Sequence, residues 1–271
     1  MKRSIPILIL AVVSSLPSAW GQLRPPNADG VTMGQVHALV RDMDNAKKFF
    51  TILGGTPLKV GGVDAMKFPG VLILLQKGNP SNGSEGSPVD HIGFWVNDGP
   101  GVVAKLKTLG IKMDADAGVK KPGLKNVGNV YTNDGFKVEI LEDKEQTATT
   151  PTVYDHLHHF LPDNVAPDAR AWYIKTFGET AVPGNAINST FAGSRQLFGK
   201  AKESISPTKG RAIDYVGYEV KDLKAFCKKL QASGVKLDQP YSKSRHKGYA
   251  SAMITDPWGI SIELTEGLNK F

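Results

Sequence analysis

Three residues in the first half of the chain, His37, His91 and Glu139, carry the side-chain types that bind divalent metal ions in many proteins. Each stands beside apolar residues, as in Val36-His37-Ala38 and Val138-Glu139-Ile140. Because successive residues of a strand point to opposite faces, the apolar neighbours should pack against helices and the polar side chains should point to the other face. Two imidazoles and one carboxylate can hold a transition metal and leave positions open for a substrate. The pattern therefore predicts a metal centre, provided that a curved sheet brings the three residues together.

The elements that would position these residues repeat along the chain. Asp90–Val96 reappears as Asp214–Val220, and Gly135–Leu141 reappears as Gly259–Thr265, both at an offset of 124 residues. An internal repeat of this kind indicates a duplicated structural unit. The length of 271 residues is also enough for two domains of ordinary size. We therefore expect two homologous halves.

Each half divides again into two modules with the same order of elements. An alternating, strand-like segment is followed by apolar residues at the spacing of an amphipathic helix, and then by further strand-like runs. This order starts near His37, His91, His158 and Tyr215. We predict an α+β fold of four βαβββ modules. Modules within each half are expected to pair, which gives an N-terminal domain over residues 33–145 and a C-terminal domain over residues 152–267.

The second half holds an incomplete version of the metal-binding set. His158 and Glu263 match the first histidine and the carboxylate of the first half, but Tyr215 stands where a second histidine is expected. A phenolate oxygen can bind iron. The other explanation is a duplicated domain that lost its metal and kept its shape. His156 would share a strand face with His158, either as a substitute ligand or as part of an ordinary polar strand end.

The modules, the histidine that opens a module and the closing run Thr255–Leu264 together resemble the vicinal oxygen chelate superfamily. This superfamily includes glyoxalase I, fosfomycin-resistance thiol transferases, extradiol dioxygenases and bleomycin-binding proteins. The resemblance covers about residues 33–267 and implies two glyoxalase-like domains, each with a U-shaped mixed sheet. It implies His37, His91 and Glu139 as metal ligands, and His158, Tyr215 and Glu263 as a weaker second set.

The resemblance also sets expectations for the reaction. The fourth ligand position of glyoxalase-like members aligns with Leu74, which favours the three-ligand pattern of the thiol transferases and dioxygenases. A divalent Fe, Mn, Ni or Zn ion would act as a Lewis acid on a small substrate with neighbouring oxygen atoms. Iron-dependent ring cleavage and non-redox lyase or isomerase chemistry both fit, and we favour the non-redox class because the second ligand set is incomplete. The alternative is a metal-free protein that sequesters a small molecule, as bleomycin-binding proteins do.

Residues 1–21 have the pattern of a secretory signal peptide. Lys2 and Arg3 precede the apolar stretch Ile5–Val13, and Ala19-Trp20-Gly21 supplies small residues for cleavage. The apolar stretch is too short to span a bilayer as a helix. We therefore expect a secreted or periplasmic protein without stable membrane insertion after cleavage.

Composition restricts the partners of the protein. The formal net charge is +7, but the basic residues are scattered and are not interleaved with aromatic residues as in nucleic-acid-binding surfaces. The single cysteine, Cys227, excludes an intramolecular disulfide and a cysteine-rich zinc site. We expect a small-molecule substrate or ligand, no nucleic-acid partner, and a monomer or homodimer.

Overall fold

The computed structural model describes residues 23–120, 122–144, 151–192, 194–245 and 248–271. In these ranges it contains two mixed β-sheets, of eight and seven strands, and four α-helices. This architecture confirms the predicted α+β fold built from repeated modules. The expected signal peptide, residues 1–21, lies outside the described residues.

The eight-stranded sheet combines the first and fourth modules. The first module contains β1 (Val31–Val40), α1 (Met43–Ile52), β2 (Thr56–Val60), β3 (Val63–Phe68) and β4 (Val71–Lys77). The fourth contains β12 (Ile213–Val220), α4 (Leu223–Ala232), β13 (Gln239–Lys243), β14 (Ala250–Thr255) and β15 (Ser261–Glu266), and a short 3-10 helix (Leu268–Lys270) follows. The strand order is β13-β14-β15-β12-β1-β4-β3-β2, and we call this the 1–4 sheet.

The seven-stranded sheet combines the second and third modules. The second contains β5 (Val89–Val96), α2 (Gly99–Lys107), β6 (Asn126–Tyr131) and β7 (Lys137–Glu142), with a single bridge at Met113 in place of its first hairpin strand. The third contains β8 (Thr152–Leu161), α3 (Ala166–Phe177), β9 (Thr180–Ala181), β10 (Ser189–Phe191) and β11 (Ser194–Lys200). The strand order is β6-β7-β5-β8-β11-β10-β9, and we call this the 2–3 sheet.

This pairing corrects the expected division into residues 33–145 and 152–267. Strand β1 pairs with β12, and β5 pairs with β8, both antiparallel, so each sheet takes one module from each half of the chain. Modules with the same element pattern present similar strand edges, and the choice among partners is made by tertiary packing. The two halves are therefore joined through both sheets.

Helices cover one face of the strands and leave the other face to polar side chains. Helices α1, α2 and α4 each start at an aspartate whose side chain accepts a hydrogen bond from a backbone N–H of the first turn: Asp42, Asp98 and Asp222. Their apolar residues, such as Phe50 and Leu230, join one continuous buried core with alternate strand residues. In the described part of the chain, the helices lack the length and apolar character that a membrane span requires.

Candidate metal centre

Three neighbouring strands of the 2–3 sheet bring together three histidines and one glutamate. His91 on β5 pairs in register with His158 on β8, and Gly93, two residues further along β5, lies between His156 of β8 and Glu139 of β7. All four side chains project from the face that the helices leave open, as alternation along the strands requires. The site is therefore built across the contact between the second and third modules.

The four side chains converge on one point. The distance from His91 Nε2 to His158 Nδ1 is 3.2 Å, and from His91 Nε2 to Glu139 Oε2 it is 3.5 Å. His156 Nε2 lies 3.1 Å from Glu139 Oε2, and ring nitrogens of the three histidines all lie within 4.8 Å of one another. Ligands about 2.1 Å from a metal are separated by about 3.0 Å at right angles and about 3.4 Å at tetrahedral angles. The three separations of 3.1 to 3.5 Å match those between ligands of one metal ion, whereas the limit of 4.8 Å among the imidazole nitrogens exceeds them.

Carboxylates orient two of the imidazoles. Asp90 Oδ1 lies 2.6 Å from His91 Nδ1, and Asp155 Oδ2 lies 2.7 Å from His156 Nδ1. Each contact favours a proton on Nδ1 and leaves Nε2 unprotonated, so that its lone pair can bind a metal ion. The same arrangement is found around metal-bound histidines. His156 Nε2 is fully buried and faces Glu139 Oε2 at 3.1 Å. A buried nitrogen of this kind is satisfied when it binds a metal ion.

Cations hold these two carboxylates in turn. Lys137 Nζ lies 2.9 Å from Asp90 Oδ1, and Arg195 donates to Asp155 through Nε at 3.0 Å and through Nη2. The pKa values of both aspartates are below their usual value, because the histidine and cation contacts outweigh the opposing effect of burial. Both carboxylates are therefore ionised at neutral pH.

The protonation of the central groups suits metal binding only in part. Burial raises the pKa of Glu139, but hydrogen bonds from His156 and His91 outweigh it, and the net pKa is well below the usual value. Burial and repulsion from the neighbouring imidazoles lower the pKa of His158 to about 3, so this side chain is neutral. Burial opposes protonation of His156, but Asp155 and Glu139 raise its pKa overall. A metal ion would thus displace a proton from His156.

The expected triad is not brought together. His91 and Glu139 meet in the 2–3 sheet, whereas His37 lies on β1 of the 1–4 sheet, stacked on Tyr215 with ring centroids 4.1 Å apart. The weaker set is also divided, because His158 belongs to the 2–3 sheet and Tyr215 and Glu263 belong to the 1–4 sheet. The reason is the exchange of modules between the halves, which gives His91 and Glu139 the third module as their neighbour.

The two sheets place corresponding residues at corresponding register positions. In the 1–4 sheet, His37 pairs with Tyr215, and Gly217 lies between Gln35 and Glu263. Tyr215 thus takes the position of His91, and Gln35 takes the position of His156. Gln35 donates a hydrogen bond to Glu263, as His156 contacts Glu139. The 1–4 sheet therefore repeats the arrangement of the four positions, but only one of them, His37, holds an imidazole.

Part of the site was visible in the sequence and part was not. His156 shares a face with His158, as the alternation of β8 predicted. The supporting carboxylates immediately precede their histidines in the pairs Asp90-His91 and Asp155-His156, a repeated signal in the sequence. No such signal pointed to Gly93. In the structure this position has to be glycine, because a Cβ atom there would lie 2.1 Å from Cε1 of His156.

Comparisons with known proteins agree with this architecture. The chain is similar to a Bacillus subtilis protein described as a "putative dioxygenase", with 13% identity, a TM-score of 0.65 and coverage of 91% of this chain and 86% of that one. It is also similar to glyoxalase I from Zea mays, with 15% identity, a TM-score of 0.63 and coverage of 89% and 94%. At these identities the likeness concerns the fold.

A search of curated protein sequences finds no match. The family model described as "Glyoxalase/Bleomycin resistance protein/Dioxygenase superfamily" matches residues 32–264, which include nearly all of both sheets and the whole candidate centre. The chain therefore belongs to the glyoxalase/bleomycin resistance protein/dioxygenase superfamily.

Proposed function

We propose that the protein is a metal-dependent enzyme that acts on a small molecule with neighbouring oxygen atoms. The observation that carries the proposal is the convergence of His91, His156, His158 and Glu139, in which three contacts between potential ligand atoms measure 3.1 to 3.5 Å. His37, the expected third ligand, takes no part in this set. The proposed metal centre is therefore specific to the contact between the second and third modules.

Each residue of the centre has a defined task. The three imidazoles supply neutral nitrogen donors, and Glu139 supplies negative charge that offsets part of the charge of a divalent ion. Asn126 donates a hydrogen bond to Glu139 Oε1, which leaves Oε2 directed at the histidines. Asp90 and Asp155 fix the imidazole rings. A bound divalent ion would supply Lewis acidity that stabilises negative charge on substrate oxygens.

The ligand set favours a non-redox reaction. Oxygen-dependent iron enzymes of the two-histidine, one-carboxylate type keep several metal positions open. His156 adds a nitrogen donor to such a triad here and reduces the number of open positions. Zn, Ni, Mn or Fe all accept nitrogen and carboxylate ligands. We therefore propose lyase or isomerase chemistry. We also propose that residues 1–21 direct the protein to the periplasm or out of the cell.

The test compares the two corresponding carboxylates. Glu139→Gln removes the ligand charge, whereas Glu263→Gln makes the same change in the 1–4 sheet. We expect about one metal ion per chain in the wild type, because a preformed site of four donors binds tightly. Elemental analysis of protein purified without chelators or affinity metals should show loss in the first variant and retention in the second.

Two results would contradict the proposal. One is equal metal content in the Glu139→Gln and wild-type proteins. The other is a wild type without metal whose melting temperature does not rise on addition of Zn²⁺, Ni²⁺, Mn²⁺ or Fe²⁺. The second result would favour the alternative function, a metal-free protein that binds a small molecule.

A further inference from the structure

A cavity of about 600 Å³ lies beside the metal centre. Its walls include Arg24, Trp95, Asp155, Ser194 and Arg195. The N-terminal segment that carries Arg24 forms one side, and the end of β5 with the starts of β8 and β11 forms the other. A volume of this size is enough for a small organic substrate.

The cavity continues the face on which the metal centre is built. Trp95 lies two residues beyond Gly93 on β5 and therefore points to the same face. Arg195 of β11 lies beside His156 in the parallel register. Asp155, which lines the cavity, contacts both His156 and Arg195. The cavity lining thus adjoins the metal centre through Asp155, on the Nδ1 side of the His156 ring.

The charge of this cavity is positive overall. Arg195 and Asp155 form a pair whose charges compensate, and 42% of the Arg195 side chain remains exposed. Arg24 is exposed, and no carboxylate of the described chain forms an ion pair with it. Lys125 Nζ adds a further cation 5.3 Å from the ring centroid of Trp95. Guanidinium groups bind carboxylates through strong, charge-assisted hydrogen bonds.

We propose that this cavity binds the anionic group of an organic carboxylate substrate, with Arg24 as the main charge partner and Trp95 as an apolar wall. The proposal rests on the proposed function, because it takes the molecule held in this cavity to be the substrate of the proposed enzyme. It thereby assigns a substrate class, a small organic acid with a negative group and an apolar part.

The probe is 3,4-dihydroxybenzoate, and the matched neutral compound is 3,4-dihydroxybenzamide. Both present the same oxygen pair, and only the first has a negative charge at the far side of the ring. Titration calorimetry on Zn²⁺-loaded protein, and again on metal-free protein, gives the affinity ratio. We expect the benzoate to bind about tenfold more tightly than the benzamide, because one charge-assisted hydrogen bond contributes a difference of about this size. The preference should weaken at high salt.

Arg24→Gln should reduce this ratio to about one, since the charge partner is lost. Lys48→Gln is the control: it removes one positive charge from the exposed side of α1, outside the cavity lining, and should keep the wild-type ratio. Equal binding of the two compounds, or equal effects of the two substitutions, would overturn the inference. Failure of zinc loading would contradict the proposed function instead, and the ratio in the metal-free protein would still decide the charge preference of the cavity.

Discussion

Glu139 and Glu263 occupy corresponding positions, yet their surroundings give them different charges. Burial raises the pKa of both carboxyls. At Glu139 the imidazoles of His156 and His91 outweigh this effect, whereas Glu263 has mainly neutral donors such as Gln35, and its pKa rises to about 7. Where His156 stands beside it, the carboxyl is ionised; where Gln35 takes that place, the carboxyl still holds its proton in mildly acidic solution.

This difference predicts how stability depends on pH. Glu263 keeps its proton in the folded state up to about pH 7, whereas the unfolded chain releases it near its ordinary value of 4.5. The folded state therefore binds more protons between these values, and the free energy of unfolding falls as pH rises through this window, by up to about 1.4 kcal/mol per pH unit.

Glu263→Gln cannot ionise and should remove this contribution. Urea unfolding at pH 5 and pH 8 should show a smaller loss of stability in the variant than in the wild type. The free energy of unfolding of the variant, relative to that of the wild type, should therefore be higher at pH 8 than at pH 5. An identical decrease in both proteins would show that Glu263 is ionised in the folded state.

At the scale of elements, Gly93 allows strand β8 to place a histidine over strand β5. A Cβ atom at Gly93 would lie 2.1 Å from the His156 ring, and one at Gly217 would lie 2.4 Å from the Gln35 side chain. Both glycines therefore provide space for a long side chain from the neighbouring strand. The sheet can hold four potential ligands because one strand position has no side chain of its own.

Gly93→Ala should consequently displace His156 and weaken metal binding. We expect at least a tenfold loss of zinc affinity, measured by competition with a chelating dye, and a loss of about 1–3 kcal/mol of stability from overpacking. Gly217→Ala is the matched control in the other sheet. It should cost comparable stability and leave zinc affinity unchanged, whereas equal losses of affinity would assign the effect to general destabilisation.

At the scale of the molecule, the halves of the chain depend on each other. Strand β1 of the first half pairs with β12 of the second over seven residue pairs, and β5 pairs with β8 over another seven. Separation of the halves would expose two strand edges in each half, together with the buried residues beside them. Exposed strand edges of this kind promote association between chains.

A fragment of residues 23–144 should therefore not form a stable monomer. Size-exclusion chromatography and thermal melting are expected to show an unfolded or self-associated fragment, and co-expression with residues 151–271 should restore a complex that binds zinc. A monomeric fragment with a cooperative melting transition would contradict this prediction. It would instead favour the two domains expected over residues 33–145 and 152–267.

Local sequence determined the elements and the faces of the strands. Alternation of polar and apolar residues placed His37, His91 and Glu139 on the face without helices, and the repeat of 124 residues indicated two similar halves. These features are local, because a strand residue's direction follows from its immediate neighbours.

The composition of the site was decided by tertiary structure alone. Four modules with the same pattern offer similar strand edges, and no short-range rule distinguishes a first module paired with the second from one paired with the fourth. The observed pairing moves His37 away from His91 and Glu139 and replaces it with His156 and His158. Ligand identity depends on which strands become neighbours, and that choice is made by the packing of the whole chain.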